Sequence, residues 1–161
     1  MRNNVRGECL KRVYLAWFES TLRYGIAHYG GTFPTLLGLL IRAQRHAIPI
    51  VYNKSRMDRI SHLFTEHNIL TVSQLYNYSI LMFVHKYFSQ FNVTPYTRAT
   101  RTAIFFKLEI PFFNKEHCRN QLCHNGLKYF NRFIEYYGNE LYFDKKPKVK
   151  IKALEFVIGS M

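Results

Sequence analysis

His117-Cys118 and Cys123-His124 are the residues best suited to metal or thiol chemistry, since imidazole nitrogens and thiolates are zinc's usual donors. Their spacing argues against both. Zinc needs four such ligands converging tetrahedrally, and on a helix His117 and His124 would stand two turns apart while Cys118 and Cys123 point in different directions. A Cys-His nucleophile pair would need an orienting third group and an oxyanion site, and no residue pattern marks either. Core cysteines beside surface histidines are the expectation. The ten carboxylates are scattered, with no Asp-Asp or Asp-x-Asp pair to hold two magnesium ions for phosphoryl transfer. No catalytic residue, metal or cofactor is expected of this chain on its own.

Cations and rings are what the sequence holds in quantity. The 161 residues include 12 Tyr and 14 Phe and carry a formal charge of +13. Phosphates, an acidic protein or an anionic membrane surface would suit such a surplus, as would a plain solvated face. The charge is concentrated at the ends. Residues 1–60 hold ten Lys and Arg against three acids, and residues 111–161 hold nine against five. The stretch between them is nearly neutral and apolar, as a core would be. Arg42, Arg45 and His46, with Lys54, Arg56 and Arg59 close behind, would form one cationic rim at the end of a helix. Arg98 and Arg101 flank a Thr-rich turn, and Lys145 to Lys152 would add a basic arm.

Elements to carry these groups can be read from hydrophobic period. Residues 8–27 show a broad helical stripe, which Gly30-Gly31 ends. Leu36, Leu39, Leu40, Ala43 and Ala47 share a second helical face until Pro49, which removes a backbone donor and breaks or kinks the helix. Thr71 reads as an N-cap, with Gln74 three residues on completing a capping box. Residues 92–112 change to Thr, Pro and β-branched types, and Thr100–Pro111 reads as an extended segment rather than a helix. Helix resumes near Lys115, with Cys123, Leu127, Phe130 and Ile134 on its core face. From Lys146 to Lys152 cations alternate with other residues, the period of an edge strand or extended arm.

Three cysteines leave one unpaired in any disulfide scheme, which fits a reducing, intracellular compartment. The longest apolar runs, Leu36–Ile41 and Ile80–Val84, fall far short of a membrane span. A chain of this length fits one domain, able to bury roughly 68–70% of its unfolded surface.

A more specific signal lies in an ordered string of residues. It runs Ser20-x-Leu22-x-Tyr24-Gly25-Ile26, Tyr29-Gly30, Gln44-Arg45-x-Ala47-Ile48, Leu63-Phe64, then Asn68-Ile69-Leu70-Thr71-Val72 with Leu75-Tyr76. Phe83-x-x-Lys86, Thr100-Arg101, Pro111, Gly126 and Phe130-Asn131 follow. The string, covering about Leu10 to Ile134, resembles the C-terminal region downstream of the polymerase domain in LINE-like (non-LTR) retrotransposon reverse transcriptases. Tyr29 stands where that family usually has Trp, Phe130 replaces the Trp before Asn131, and Pro49 occupies a position where a basic residue is common. The family's polymerase aspartates and endonuclease have no counterpart here.

The fold expected is mainly α: a compact helical domain of about five helices over residues 1–137, with one extended segment near 98–112, and a basic extended tail over 138–161. The resemblance implies a non-catalytic nucleic-acid-associated module, a fragment or remnant of an RNA-directed DNA polymerase. Its partners would be RNA or DNA and an upstream polymerase domain, in a nuclear setting and with no membrane. Arg42, Arg45, Lys54, Arg56, Arg59, Arg101 and Lys128 are the candidate phosphate contacts, sequence-independent and salt-sensitive. Tyr24, Tyr29 and Phe130 are expected in the core. The alternative is a helical structural or protein-interaction domain whose cations meet an acidic partner.

Overall fold

Residues 2–29 wind as one rod in three parts. Helix α1 (Arg2–Val13) passes into a π-helical segment (Tyr14–Glu19) and then α2 (Ser20–Tyr29). The π segment has a reason in the sequence. Tyr14, Leu22 and Ile26 are buried and Phe18 partly so, at a spacing of four. In an α-helix of 3.6 residues per turn each four-residue step drifts about 40°. Over three steps such a stripe would leave the core. A wider π turn takes up the excess and keeps the four side chains on one line.

The structure, a computed structural model, describes residues 2–31, 34–54, 60–97, 104–115, 122–142 and 144–159. It is mainly helical, and it divides into two units, residues 1–76 and 77–161. The first unit continues with α3 (Pro34–Val51) and α4 (Ser61–Glu66). Pro34 opens α3, where its missing N–H costs nothing. Pro49 lies inside the last turn, and the helix ends two residues later at Val51. Tyr14, Ile48, Val51, Leu63 and Ile69 form the core, with Leu10, Phe18, Ala47, Tyr52, Ile60 and Phe64 packed around them.

One polar side chain holds this unit's segments together. Gln44, 2% exposed on the core face of α3, donates through Nε2 to the Tyr14 hydroxyl (2.9 Å) and the Leu70 carbonyl (2.8 Å). Its Oε1 accepts from the Val72 N–H at 2.9 Å, the first residue of α5 (Val72–Lys86). Burial pushes the Tyr14 hydroxyl up to about 12, partly offset by the bond from Gln44. The capping box at the same helix start forms as the sequence predicts. The Gln74 carboxamide oxygen accepts from the Thr71 N–H at 2.9 Å, and the Gln74 N–H reaches Thr71 Oγ1 at 3.3 Å.

In the second unit β2 (Ile104–Leu108) falls within the expected extended segment near 98–112, and it pairs antiparallel with β1 (Val93–Thr97), which lies before that segment, from Val93 with Leu108 to Thr97 with Ile104. A second π segment (Leu122–Gly126) leads into α6 (Leu127–Tyr137), whose buried face is Leu127, Phe130, Asn131, Phe133 and Ile134. Asn131 grips β2 by both backbone groups of Leu108: its Oδ1 accepts from the N–H at 2.9 Å and its Nδ2 donates to the carbonyl at 3.0 Å. Lys107 adds an ion pair to Glu135 at 2.5 Å.

The expected extended tail over 138–161 is corrected by the structure. Gly138 turns the chain at φ 87°, Asn139–Tyr142 make a short 3₁₀ turn, and Lys146–Gly159 form helix α7. Alternating lysines suggested a strand, but Val149, Ala153 and Val157, at i, i+4 and i+8, are buried and set a helical period instead. Pro147 sits in the first turn, where it is tolerated. Phe156 packs its ring against Tyr129 (5.6 Å), Phe133 (5.3 Å), Tyr136 (5.7 Å) and Tyr137 (6.4 Å), so the C-terminal segment is core to its unit.

Asp144 precedes α7 and holds two of its lysines, Lys152 at 2.8 Å and Lys148 at 3.1 Å. These bonds, Lys152 first, hold its carboxyl below the ordinary value of 3.8. A depressed folded-state pKa stabilises the fold above the unfolded value and is lost as pH falls through the folded one. Wild type should therefore be more stable than Asp144→Asn at neutral pH. In paired chemical denaturations that difference should start to shrink below pH 3.8 and vanish on further acidification.

Candidate nucleic-acid interface

Arg42 and Arg45 lie on α3, exposed, and His46 is exposed beside them. Spacings of three and four put the three on one side of the helix, roughly 5–6 Å apart at Cβ. The buried side of the same helix (Gln44, Ile48, Val51) fixes which way they face. Lys54 follows the helix end, exposed, after Asn53 turns the chain at φ 52°. The structure thus gathers Arg42 and Arg45 and sets Lys54 beyond the last turn. Arg56, Arg59 and Arg101 lie outside the described residues. Lys128 is exposed on α6, in the second unit.

Among the described residues of the first unit, the carboxylates are Glu8, Glu19 and Glu66. Glu19 is buried and accepts from Arg23 Nε and an Arg23 terminal nitrogen at 2.8 and 2.7 Å. Glu8 and Glu66 are exposed, and both add to the burial that raises the Tyr52 hydroxyl pKa. They therefore lie near Tyr52, two residues from Lys54. In the second unit the lysine run is partly neutralised, since Lys148 and Lys152 share Asp144. Lys146 and Lys150 are exposed one turn apart on α7.

Cys123 and His124 lie in the π segment that leads into α6. His124 Nδ1 lies 3.1 Å from the Pro111 carbonyl oxygen and its ring sits edge-on to Phe113 at 6.2 Å, while Cys123 is half-buried. His117 and Cys118 lie outside the described residues. Among the described residues, no group of three or more His, Cys, Asp and Glu side chains could hold a metal ion, and no helix is long and apolar enough to cross a membrane.

Two aromatic expectations are corrected. Phe130 is buried as expected, but Tyr24 is 95% exposed, and Tyr29 stands at the surface with its hydroxyl donating to the Leu22 carbonyl at 3.1 Å. The single tryptophan, Trp17, is 78% exposed. The cause is the four-residue stripe: once Tyr14, Phe18, Leu22 and Ile26 face inward, Trp17 and Tyr24 must face out. That period is visible in the sequence, though not in a search for 3.6-residue repeats.

The residues carrying the family resemblance are mostly structural. Gln44 and Asn131 are the two buried amide clamps, Thr71 is a cap, and Gly30 and Gly126 lie where a Cβ would meet the Tyr76 ring and the Ile80 side chain. In comparisons with family models, curated proteins and solved structures, no match to this chain is found.

Proposed function

We propose that the chain is a non-catalytic nucleic-acid-associated module of the kind that follows the polymerase domain in non-LTR retrotransposon reverse transcriptases. The observation that carries the reading is the exposed Arg42–Arg45 pair on α3, continued by Lys54, in a unit whose described carboxylates are few. Guanidinium groups suit phosphate oxygens because their planar fork can donate two bonds at once. Contacts of this kind position a backbone without reading its sequence. An RNA or DNA strand, in a nuclear setting beside a polymerase domain, is the partner that this chemistry and the resemblance both favour.

Binding of a mixed-sequence oligonucleotide should weaken steeply with salt, each neutralised phosphate adding about 0.7 to the slope of log K against log salt on a single strand. Replacing Arg42 and Arg45 together by alanine should lower that slope by about 1.4. Lys128→Ala tests the second unit separately. Absence of binding at low salt, or a slope indifferent to the α3 arginines, would overturn the proposal.

A second reading has its own observation. Leu39 and Ile50 are exposed on the same face of α3 as Arg42 and His46. Apolar and cationic groups mixed on one surface also fit an acidic protein partner. The oligonucleotide titration separates the two, because only the first reading requires a polyanion to bind unaided.

A further inference from the structure

The second unit holds a cavity of about 400 Å³ lined by Tyr136, Tyr137, Glu155, Phe156 and Gly159. Small-ligand sites run to roughly 300–1,000 Å³, so the space is large enough for one. Its walls come from the last turns of two helices, Tyr136 and Tyr137 from α6 and the others from α7. The three rings stand as inclined panels rather than a stack. Tyr136 meets Tyr137 at 4.9 Å and 71°, Tyr136 meets Phe156 at 5.7 Å and 57°, and Tyr137 meets Phe156 at 6.4 Å and 62°. Two panels are anchored in the core, since Phe133 packs against both Tyr137 and Phe156 at 5.3 Å. Gly159 adds no side chain, and a Cβ placed there would meet nothing within 4 Å. Glu155 is the only charged group of the lining. The Tyr137 hydroxyl donates to its Oε2 at 3.4 Å, and burial followed by the Glu155 charge raises the pKa of that hydroxyl. No described Lys or Arg pairs with Glu155, whereas Glu19, Glu135 and Asp144 each hold a cation. Lys152, one turn earlier on α7, stands 5.8 Å from the Tyr137 ring centroid. Its ammonium is held by Asp144 at 2.8 Å, and it does not line the cavity.

We infer that this cavity binds a quaternary ammonium group against the three rings and Glu155. The inference is independent of the nucleic-acid reading above. Ring faces carry the negative part of an aromatic quadrupole, and Glu155 adds a full negative charge, so the lining favours a cation and repels an anion. The kind of cation follows from what the walls lack. An unmethylated ammonium brings three N–H donors, and carbon walls do not replace the water those donors would lose. A guanidinium wants two acceptors in one plane, but one Glu155 oxygen already accepts from Tyr137. Methyl groups around the nitrogen remove the donors, spread the charge and give the rings an apolar surface to touch.

The test compares choline with its uncharged isostere, in which a tert-butyl group replaces the trimethylammonium. Each is titrated into the full-length chain and followed by proton NMR. Ring currents should move the choline methyl signal upfield, and choline should bind about tenfold tighter than the isostere. Tyr136, 73% exposed, and Glu155, also exposed, can be replaced with little risk to folding. Tyr136→Ala and Glu155→Gln should each weaken choline binding about tenfold, while Tyr136→Phe keeps it and circular dichroism stays unchanged. Peptides carrying trimethyl-lysine or plain lysine then identify the source of the group. A trimethyl-lysine peptide binding tighter than choline supports a modified protein tail as the ligand, and choline binding alone supports a free small cation. Equal affinity for choline and its isostere, equal affinity for the two peptides, or choline binding indifferent to Tyr136→Ala would overturn the site. Absence of binding by either quaternary ammonium would do the same. All of these outcomes leave the oligonucleotide titration unaffected.

Discussion

Gln44→Leu should destabilise the first unit by about 3–5 kcal/mol, measured by chemical denaturation with circular dichroism. The substitution is close to isosteric, so little of the loss comes from packing. It instead strands three polar groups from two segments of chain: the Tyr14 hydroxyl, and the Leu70 carbonyl and Val72 N–H. Each buried group left unsatisfied costs about 1–3 kcal/mol, and water reaching one of them would bring the total toward the lower end. The Tyr14 share can be isolated. Tyr14→Phe removes the hydroxyl, so the double variant should lose less than the sum of the two single losses, with a coupling of about 1 kcal/mol. Strict additivity would mean that Gln44 and Tyr14 do not hold each other in solution.

The second large effect belongs to Asn131. Its amide reproduces a strand's hydrogen-bonding edge from a helix, taking the N–H and giving to the carbonyl of Leu108. Asn131→Leu keeps the volume and removes both bonds, leaving two backbone groups unpartnered beside a buried Leu108. A loss of about 2–4 kcal/mol is expected. Amide exchange should localise it: the Leu108 N–H, protected in wild type, should exchange far faster in the variant than amides within α6. If Leu108 stays protected while stability falls, the clamp is not what orders β2.

These two residues show how the sequence conceals its architecture. The capping box at Thr71 and Gln74 was legible because both halves lie within one turn and obey a local rule. Gln44 and Asn131 act across 26–30 and 23 residues, and nothing local distinguishes a clamping amide from a surface one. The core face of α3 was not legible from spacing: the expected stripe includes Leu39 and Ala43, which are exposed, and the buried face is Gln44, Ile48 and Val51. Tyr24 was misplaced because the rod departs from α winding where its core side chains repeat every fourth residue. The C-terminal helix was missed for a related reason. Lysines at 146, 148, 150 and 152 impose an apparent period of two, while the apolar positions that decide the matter, Val149, Ala153 and Val157, extend past them. Once a family string is traced onto these contacts, most of its letters describe how the chain is braced.

Folding the lysine run into α7 changes how that end of the molecule would meet a polyanion. A floppy arm sweeps a large volume and speeds first encounter, but it must be immobilised on contact. Lys146 and Lys150 instead ride a backbone ordered in advance, about 6 Å apart along the helix axis, and keep only side-chain freedom to lose. Against a polyanion the charge there would work as a fixed ruler rather than a cast line, favouring anions that repeat at a matching interval.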